Sequence, residues 1–319
     1  MEMNKIFNSI DLIPEIQWVI AIILIILVFA TVLFWIWNKL SPSKLVDEMQ
    51  VRTRSWWIMC FIFLFASLIN PVVTYIALGL LSFFTLREIY SLLNLREMDR
   101  SVLFFCYLCI PIQYYLAFKG YYTLFLIFIP VFMFIIIPFL LVLTGETKDI
   151  IRSMCILPTS LMLGIFGISH LALLINFPEM NSNGISGKAL LLFLIFITEA
   201  NDIMQFVWGK IFGKHKILPN VSPNKTWEGF IGGILSTTLI GYLMGFLTPL
   251  NPIQLILISS TIAILGFMGD AILSAVKRDF GVKDMSEAIP GHGGVLDRVD
   301  SLSTTASPFF HLIYFIIIV

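Results

Sequence analysis

Charge is scarce in this chain. Only 13% of its 319 residues are Asp, Glu, Lys or Arg, where a soluble domain carries about a quarter. The 20 basic residues cancel the 20 acidic ones, and no nucleic-acid partner is expected. Cysteine is also rare: Cys60, Cys106, Cys109 and Cys155 lie within or at the edge of apolar runs, which excludes a disulfide framework. Cys106 and Cys109 form a C-x-x-C. They sit among Phe104, Phe105, Tyr107 and Leu108 and lack the exposed, electropositive setting that a redox or metal-binding thiolate needs. They read as small apolar helix residues. There is no internal repeat and no low-complexity linker.

What is abundant is apolar sequence. Hydrophobic residues make up 58% of the chain, 29 of them phenylalanine, and the mean hydropathy is +0.94. Long apolar runs recur almost to the end, which predicts a polytopic membrane protein. Lipid cannot satisfy exposed backbone groups, so spans must be helices or a closed barrel. The runs are continuously apolar rather than alternating, which selects an all-α architecture. The first, 16–37, lacks a basic flank before it or a small-residue cleavage site, and is read as a retained span rather than a signal peptide.

Ten spans are expected: 16–37, 55–69, 71–92, 101–118, 121–143, 154–175, 188–208, 228–248, 252–276 and 304–319. Only Asn70-Pro71 separates the second from the third, and proline marks a break there. The basic residues test this arrangement. With ten spans, the connections 38–54, 93–100 (with Arg87), 144–153, 209–227 and 277–303 share one side and hold 17 of the 20 Lys and Arg. Lys5, Lys119 and Lys188 fall on the other side. Basic residues accumulate on the cytoplasmic side, so both termini should face outward. The outer loop 176–187 is polar and turn-rich, without a cluster of candidate catalytic groups. The chain divides into an N-terminal extra span with its inner loop (1–50), further helices (51–187) and a C-terminal part (188–319) that holds the dense polar sequence.

Asp270 interrupts the ninth span, and Ser274 and Lys277 follow at i+4 and i+7 on one helical face. A buried acid near a span's end is costly unless paired or wet. It marks either a structural pair, for instance with Lys277, or a functional cavity. Lys277-Arg278, Lys283-Asp284, His292-Gly293-Gly294, Asp297-Arg298 and Asp300 then crowd the connection that follows. Asp297 and Asp300 share a face if a helix begins near them. Carboxylates mixed with fixed cations suit hard divalent metal ions held by oxygen, with Lys and Arg on phosphate oxygens. The glycines let backbone approach a bulky anion. The preceding inner connection begins with Asn201 and Asp202 inside the seventh span. It continues through Lys210, Lys214, Lys216 and Lys225 to Glu228, and 222–226 reads as a turn into a capped helix start. The lysines 210–216 also fit an ordinary positive-inside loop.

The stretch "SAVKRDFGVKDMSEAIPGHGGVLDRVD", 274–300, resembles the signature of the phosphatidate cytidylyltransferase family at every polar position named above. "GKIFGKHKILPNVSPNKTWEGFIGG", 209–233, resembles that family's second block. The resemblance implies transfer of CMP from CTP to phosphatidate, giving CDP-diacylglycerol and pyrophosphate. It implies Asp270, Asp297 and Asp300 as cation ligands, with Mg2+ and a second, monovalent ion such as K+. It also implies an inner-membrane enzyme with a cytoplasmic active site, and a homodimer. Ser274, Lys277, Arg278 and Arg298 are expected at the reacting phosphates. Lys214, Lys225, Glu228, Lys283, Asn201 and Asp202 are expected to bind substrate. His292 either contacts a phosphate or nucleotide or pins its loop. His170, His215 and His311 receive no role. The segment 201–206 departs from the family, which commonly carries small and tyrosine residues after the acid, so a related lipid phosphate is a possible acceptor. A CTP-dependent polyprenol or phytol kinase and an ion-coupled transporter are the alternatives.

Overall fold

The structure, a computed structural model, describes residues 14–93, 95–177 and 187–318. Lys5 and most of the expected outer loop 176–187 lie outside the described residues. The elements in chain order are α1 (Pro14–Leu40), α2 (Lys44–Ile69), α3 (Pro71–Leu92), α4 (Glu97–Lys119), α5 (Tyr122–Leu143), α6 (Ile150–Ile175), α7 (Gly187–Phe212), β1 (Lys216–Leu218), β2 (Ser222–Thr226), α8 (Trp227–Leu243), α9 (Pro252–Asp279) and α10 (Leu296–Ile318). Seven of these helices, α1, α3, α4, α5, α6, α7 and α9, are long and apolar enough to cross a membrane. Large side chains such as Trp18, Phe29, Phe61, Phe134 and Leu239 point outward from the bundle, as lipid-facing residues do. The architecture is that of a helical polytopic membrane protein, with one small antiparallel hairpin between α7 and α8.

Two helix starts differ from the sequence expectation. α2 begins at Lys44 rather than 55, because Ser43 caps it by accepting the Val46 N–H (3.4 Å). The charged stretch after it continues the helix beyond the apolar run. α10 begins at Leu296 rather than 304, so Asp297 and Asp300 are helical residues. The break at Asn70 is real. Its side chain caps α3 through the Val72 N–H (2.8 Å), and Pro71 occupies the first turn. Thr74 Oγ1 donates to the Ala66 carbonyl at 2.8 Å. Eight residues of continuous helix would separate these atoms by about 12 Å, so the chain reverses sharply here.

Helix α6 is the most enclosed span, with 72% of its apolar window buried. It contains a wide turn at Met162–Gly167, after Pro158. There Gly167 lies against α10, and an added Cβ would collide with the Ser303 carbonyl oxygen. A small residue lets the two backbones touch, the usual device where lipid offers no hydrophobic drive for helix association. The C-terminal helices α7 to α10 pack closely on one another, and α10 also packs on α6. The polar groups therefore belong to a rigid bundle.

Gly167→Ala is expected to destabilise the protein by about 1–3 kcal/mol through overpacking, read as a lowered Tm in detergent. Gly79→Ala, whose new methyl would meet Tyr114 at an ordinary 3.7 Å, should leave Tm unchanged or raise it. Equal behaviour of the two variants would contradict the close α6–α10 approach.

Candidate active site

The site grows from three helix ends. At the end of α9, Ser274 Oγ donates to Asp270 Oδ1 (3.0 Å), as the i, i+4 spacing predicts. Asp270 pairs not with Lys277 but with Lys225 of β2, whose Nζ stands 2.7 Å from Oδ2 and 4.3 Å from the Phe267 ring centre. The hairpin therefore delivers its lysine onto the end of α9. Thr226 caps α8 through the Gly229 N–H (3.1 Å), the capped start expected there.

Lys277 pairs with Asp297 in the first turn of α10 (2.7 Å). The other oxygen of Asp297 accepts the N–H groups of Met285 (2.8 Å) and Gly294 (2.9 Å). With both oxygens engaged and only 5% of the residue exposed, Asp297 is the acid that folds 285–297 together. Asp297, expected at a cation, has Lys277 and two loop amides as its partners here. The shared face with Asp300 does not bring the two carboxylates to the same partners.

Glu88 of α3, which the sequence reading passed over, completes the arrangement. It accepts from Val295 N (2.8 Å), Leu296 N (2.8 Å) and Ser286 Oγ (2.6 Å). A carboxylate from another helix thus satisfies the orphan amides and the positive dipole end of α10. Gly294 is required beside it, since a Cβ there would sit 2.6 Å from Glu88 Oε2. A lone acid in an otherwise apolar span was the available signal.

Asp202 and Asp300 are different. Asp300 accepts from the Ser301 N–H (2.8 Å) and Asp202 from the Ser301 hydroxyl (2.9 Å). Asp300 lies in the electrostatic field of Asp270, Asp202 and Lys277, and Asp202 in that of Glu199, Asp270 and Lys225. Lys225 and Lys277 are each matched by another acid. Among the described residues, Asp202 and Asp300 have only neutral hydrogen-bond donors. Negative charge is in excess where α7, α9 and α10 meet.

The remaining expected residues divide. Asn201 is fully buried and ties α7 to its neighbours, donating to the Ala263 carbonyl (3.3 Å) and accepting from Gln205 (3.0 Å) and Thr237 (3.3 Å). Asn201, expected to bind substrate, ties these helices together. Glu228, also expected to bind substrate, holds the hairpin through the Lys214 and His215 N–H groups (3.0 and 3.2 Å) and His215 Nδ1 (2.6 Å). His215 thus has the structural partner that the sequence did not reveal. Arg278 donates to the Val221 (3.1 Å) and Val282 (2.9 Å) carbonyls, fastening the hairpin to the end of α9. Lys214 and Lys283 are exposed at the rim. His292 is buried edge-on to Trp56, at 5.9 Å between ring centres. Burial, then the charge of Arg298, holds its pKa below the usual value, so the ring is neutral at pH 7. Arg298 has a buried Nε without a partner, and its charge reaches Glu199, another acid the sequence reading missed.

Fold and site define a helical membrane protein with an acid-and-lysine centre at the ends of its C-terminal helices. Residues 50–317 match the cytidylyltransferase family, and the chain belongs to that family, a family of nucleotidyltransferase enzymes. It is 38% identical to the uncharacterized protein YnbB of Escherichia coli over 299 residues, covering 92% of this chain and 97% of that one. It is 40% identical over 138 residues to a phosphatidate cytidylyltransferase of Haemophilus influenzae. Over 117 residues it is 43% identical to one from Staphylococcus epidermidis. These stretches span 48% and 45% of the two enzymes, about half their length.

Replacing Glu88 by Ala is expected to release the start of α10. Hydrogen exchange at the Val295 and Leu296 amides should accelerate at least about tenfold, while the core of α6 keeps its protection. Unchanged exchange at 295 and 296 would show that Glu88 does not hold the helix end.

Proposed function

We propose that the protein is a CTP:phosphatidate cytidylyltransferase, or transfers CMP to a closely related lipid phosphate. The observation that carries this reading is the unbalanced pair Asp202 and Asp300 beside Asp270, with Lys225 and Lys277 at the same place. A phosphate monoester is already a nucleophile, so the reaction needs no covalent enzyme intermediate and no strong general base. It needs two polyanions held in line against their repulsion. A lipid phosphate oxygen attacks the α-phosphorus of CTP, the α–β anhydride bond breaks, and pyrophosphate leaves.

The donor set fits a hard divalent cation. Among the described residues, no group of three or more acids, histidines or cysteines is placed to cage an ion. Mg2+ is normally bound by one or two carboxylates together with substrate phosphates and water. One or two of Asp202, Asp270 and Asp300 would hold it together with substrate phosphates, with a monovalent ion as a further occupant. When bound, it would neutralise charge between the two phosphates. Ser274 orients Asp270. Lys225 is placed to exchange its carboxylate for a nucleotide phosphate, and Lys214 and Lys283 at the rim suit the triphosphate tail. Arg298, with its unsatisfied Nε, is suited to donate a hydrogen bond to a phosphate oxygen. Lys277 and Asp297 keep the loop in place.

Ten spans, outward termini and a cytoplasmic-face active site in the inner membrane complete the proposal. The basic residues on one side support it, and a surface site lets one substrate come from water and the other from the bilayer.

Purified protein incubated with α-32P-CTP, Mg2+ and phosphatidate should place label in lipid. Transfer of γ-label to an alcohol would instead identify a kinase, and transfer of neither would leave transport as the reading. Asp300→Asn and Asp270→Asn are expected to lower kcat by roughly a hundredfold or more with Tm preserved. Asp297→Asn breaks a buried pair and is expected to cost about 3–5 kcal/mol of stability. A stable, inactive Asp297→Asn protein would return Asp297 to the cation site.

A further inference from the structure

Helix α2 stands apart from the motifs, yet it touches the signature loop. Ser55 Oγ donates to the Pro290 carbonyl at 2.8 Å, and Trp56 meets the His292 ring edge-on. Gly291, at φ +74°, lies beside the Arg52 backbone and its Cγ. Arg52, Trp56, Cys60 and Leu64 recur every four residues and share one face of α2. The charge of Arg52 acts on His292, and Glu199 of α7 acts on Cys60 lower down, so this face looks toward α7 and α10. α2 nevertheless packs mainly on α1 and α3 rather than on α7 or α10. Neither α7 nor α10 packs closely on this face.

The top of this face is cationic. Among the described residues Arg52 has no acid partner, and the buried Nε of Arg298 has no hydrogen-bond partner. Both guanidinium charges act on the same histidine, which is neutral. An orphaned guanidinium donor is costly to bury, and two arginines acting on one place, neither of them in an ion pair and only Arg298 with an acid (Glu199) in its field, suit a phosphate. Below them the same face turns aromatic and then apolar, through Trp56 to Leu64. A group that is dianionic at one end and hydrocarbon along its length matches that order.

We infer that Arg52 and Arg298 form the receptor for the phosphate monoester of the lipid acceptor, whose acyl chain descends along the Trp56–Cys60–Leu64 face of α2. The assignment rests on the cytidylyltransferase reading and separates the two substrates: the lipid between α2 and α10, CTP on the side of Lys225 and Lys214. Phosphatidylcholine, a diester without the free phosphate, lacks the charge that the arginines select.

Two measurements test it on the full chain in mixed micelles. In the first, Arg52→Ala is expected to raise KM for phosphatidate roughly tenfold or more while KM for CTP stays within twofold. Arg52→Lys should fall between, because a lysine keeps the charge without the fork. An unchanged lipid KM, or equal rises for both substrates, overturns the receptor. In the second, direct binding without CTP, wild-type protein should prefer phosphatidate to phosphatidylcholine and Arg52→Ala should lose the preference. Should wild-type protein bind phosphatidate selectively but form no labelled lipid from CTP, the enzymatic reading fails and the receptor stands. Absence of selective binding overturns the receptor whatever the activity. If Arg52→Ala does not fold, Arg52→Gln takes its place in both measurements.

Discussion

Two carboxylates hold the first turn of α10, and the order of the site depends on them. Glu88 reaches across from α3 to the Val295 and Leu296 amides, and Asp297 turns back to Gly294 and Met285 while holding Lys277. Without these acids, the helix N-terminus would present unsatisfied donors in a buried place, and residues 285–296 would lose the bonds that join them to α3 and α9. With them, Asp300 is set one turn further along α10. There it meets Asp202 through a shared contact with Ser301. A connection rich in glycine and charge thus becomes a rigid wall.

That rigidity has an electrostatic consequence. Each acid at the periphery of the centre is matched: Asp270 by Lys225, Asp297 by Lys277, Glu228 by His215 and two amides. The acids between them are not. Burying like charges near one another is unfavourable unless a cation or a proton offsets them, and the proposed cation site rests on that imbalance. With a cation bound, a preorganised centre of this kind would act on a phosphate without reorganising when the proposed substrates meet.

Much of this was legible beforehand, and the remainder was hidden for identifiable reasons. Helix positions followed from apolar runs, but helix ends did not. Lys44–Ile69 and Leu296–Ile318 extend into charged sequence, because a helix cap rather than hydropathy decides where a helix begins. The polar positions of 270–300 were recognisable by their density. Their division of labour was not, because Asp297 and Asp300 look alike in sequence and differ only in which groups α9 and the loop bring to them. Partners distant in sequence stayed invisible. Glu88 lies 207 residues from Val295 and Ser55 lies 235 from Pro290, and neither belongs to a motif. Intramembrane acids such as Glu88 and Glu199 carried a signal, since a charge inside a span is kept only for a reason.

The two halves of the chain therefore contribute different things to one surface. Helices α7, α9 and α10 supply the acids, and the hairpin supplies Lys225 from the water side. The earlier helices supply the restraints: Glu88 from α3, and Ser55 and Trp56 from α2. Helices α2 and α3 both reach the signature loop, and α2 carries an arginine at that end with aromatic and apolar residues below it on the same face. A substrate that must remain in the bilayer while its headgroup meets a water-borne partner needs such an element. Cations at the helix end and hydrocarbon below are arranged along α2 in that sense. The same order is not needed on a helix whose only task is to fill the core, whereas an exposed Arg52 without an acid partner among the described residues leaves its charge free for a ligand.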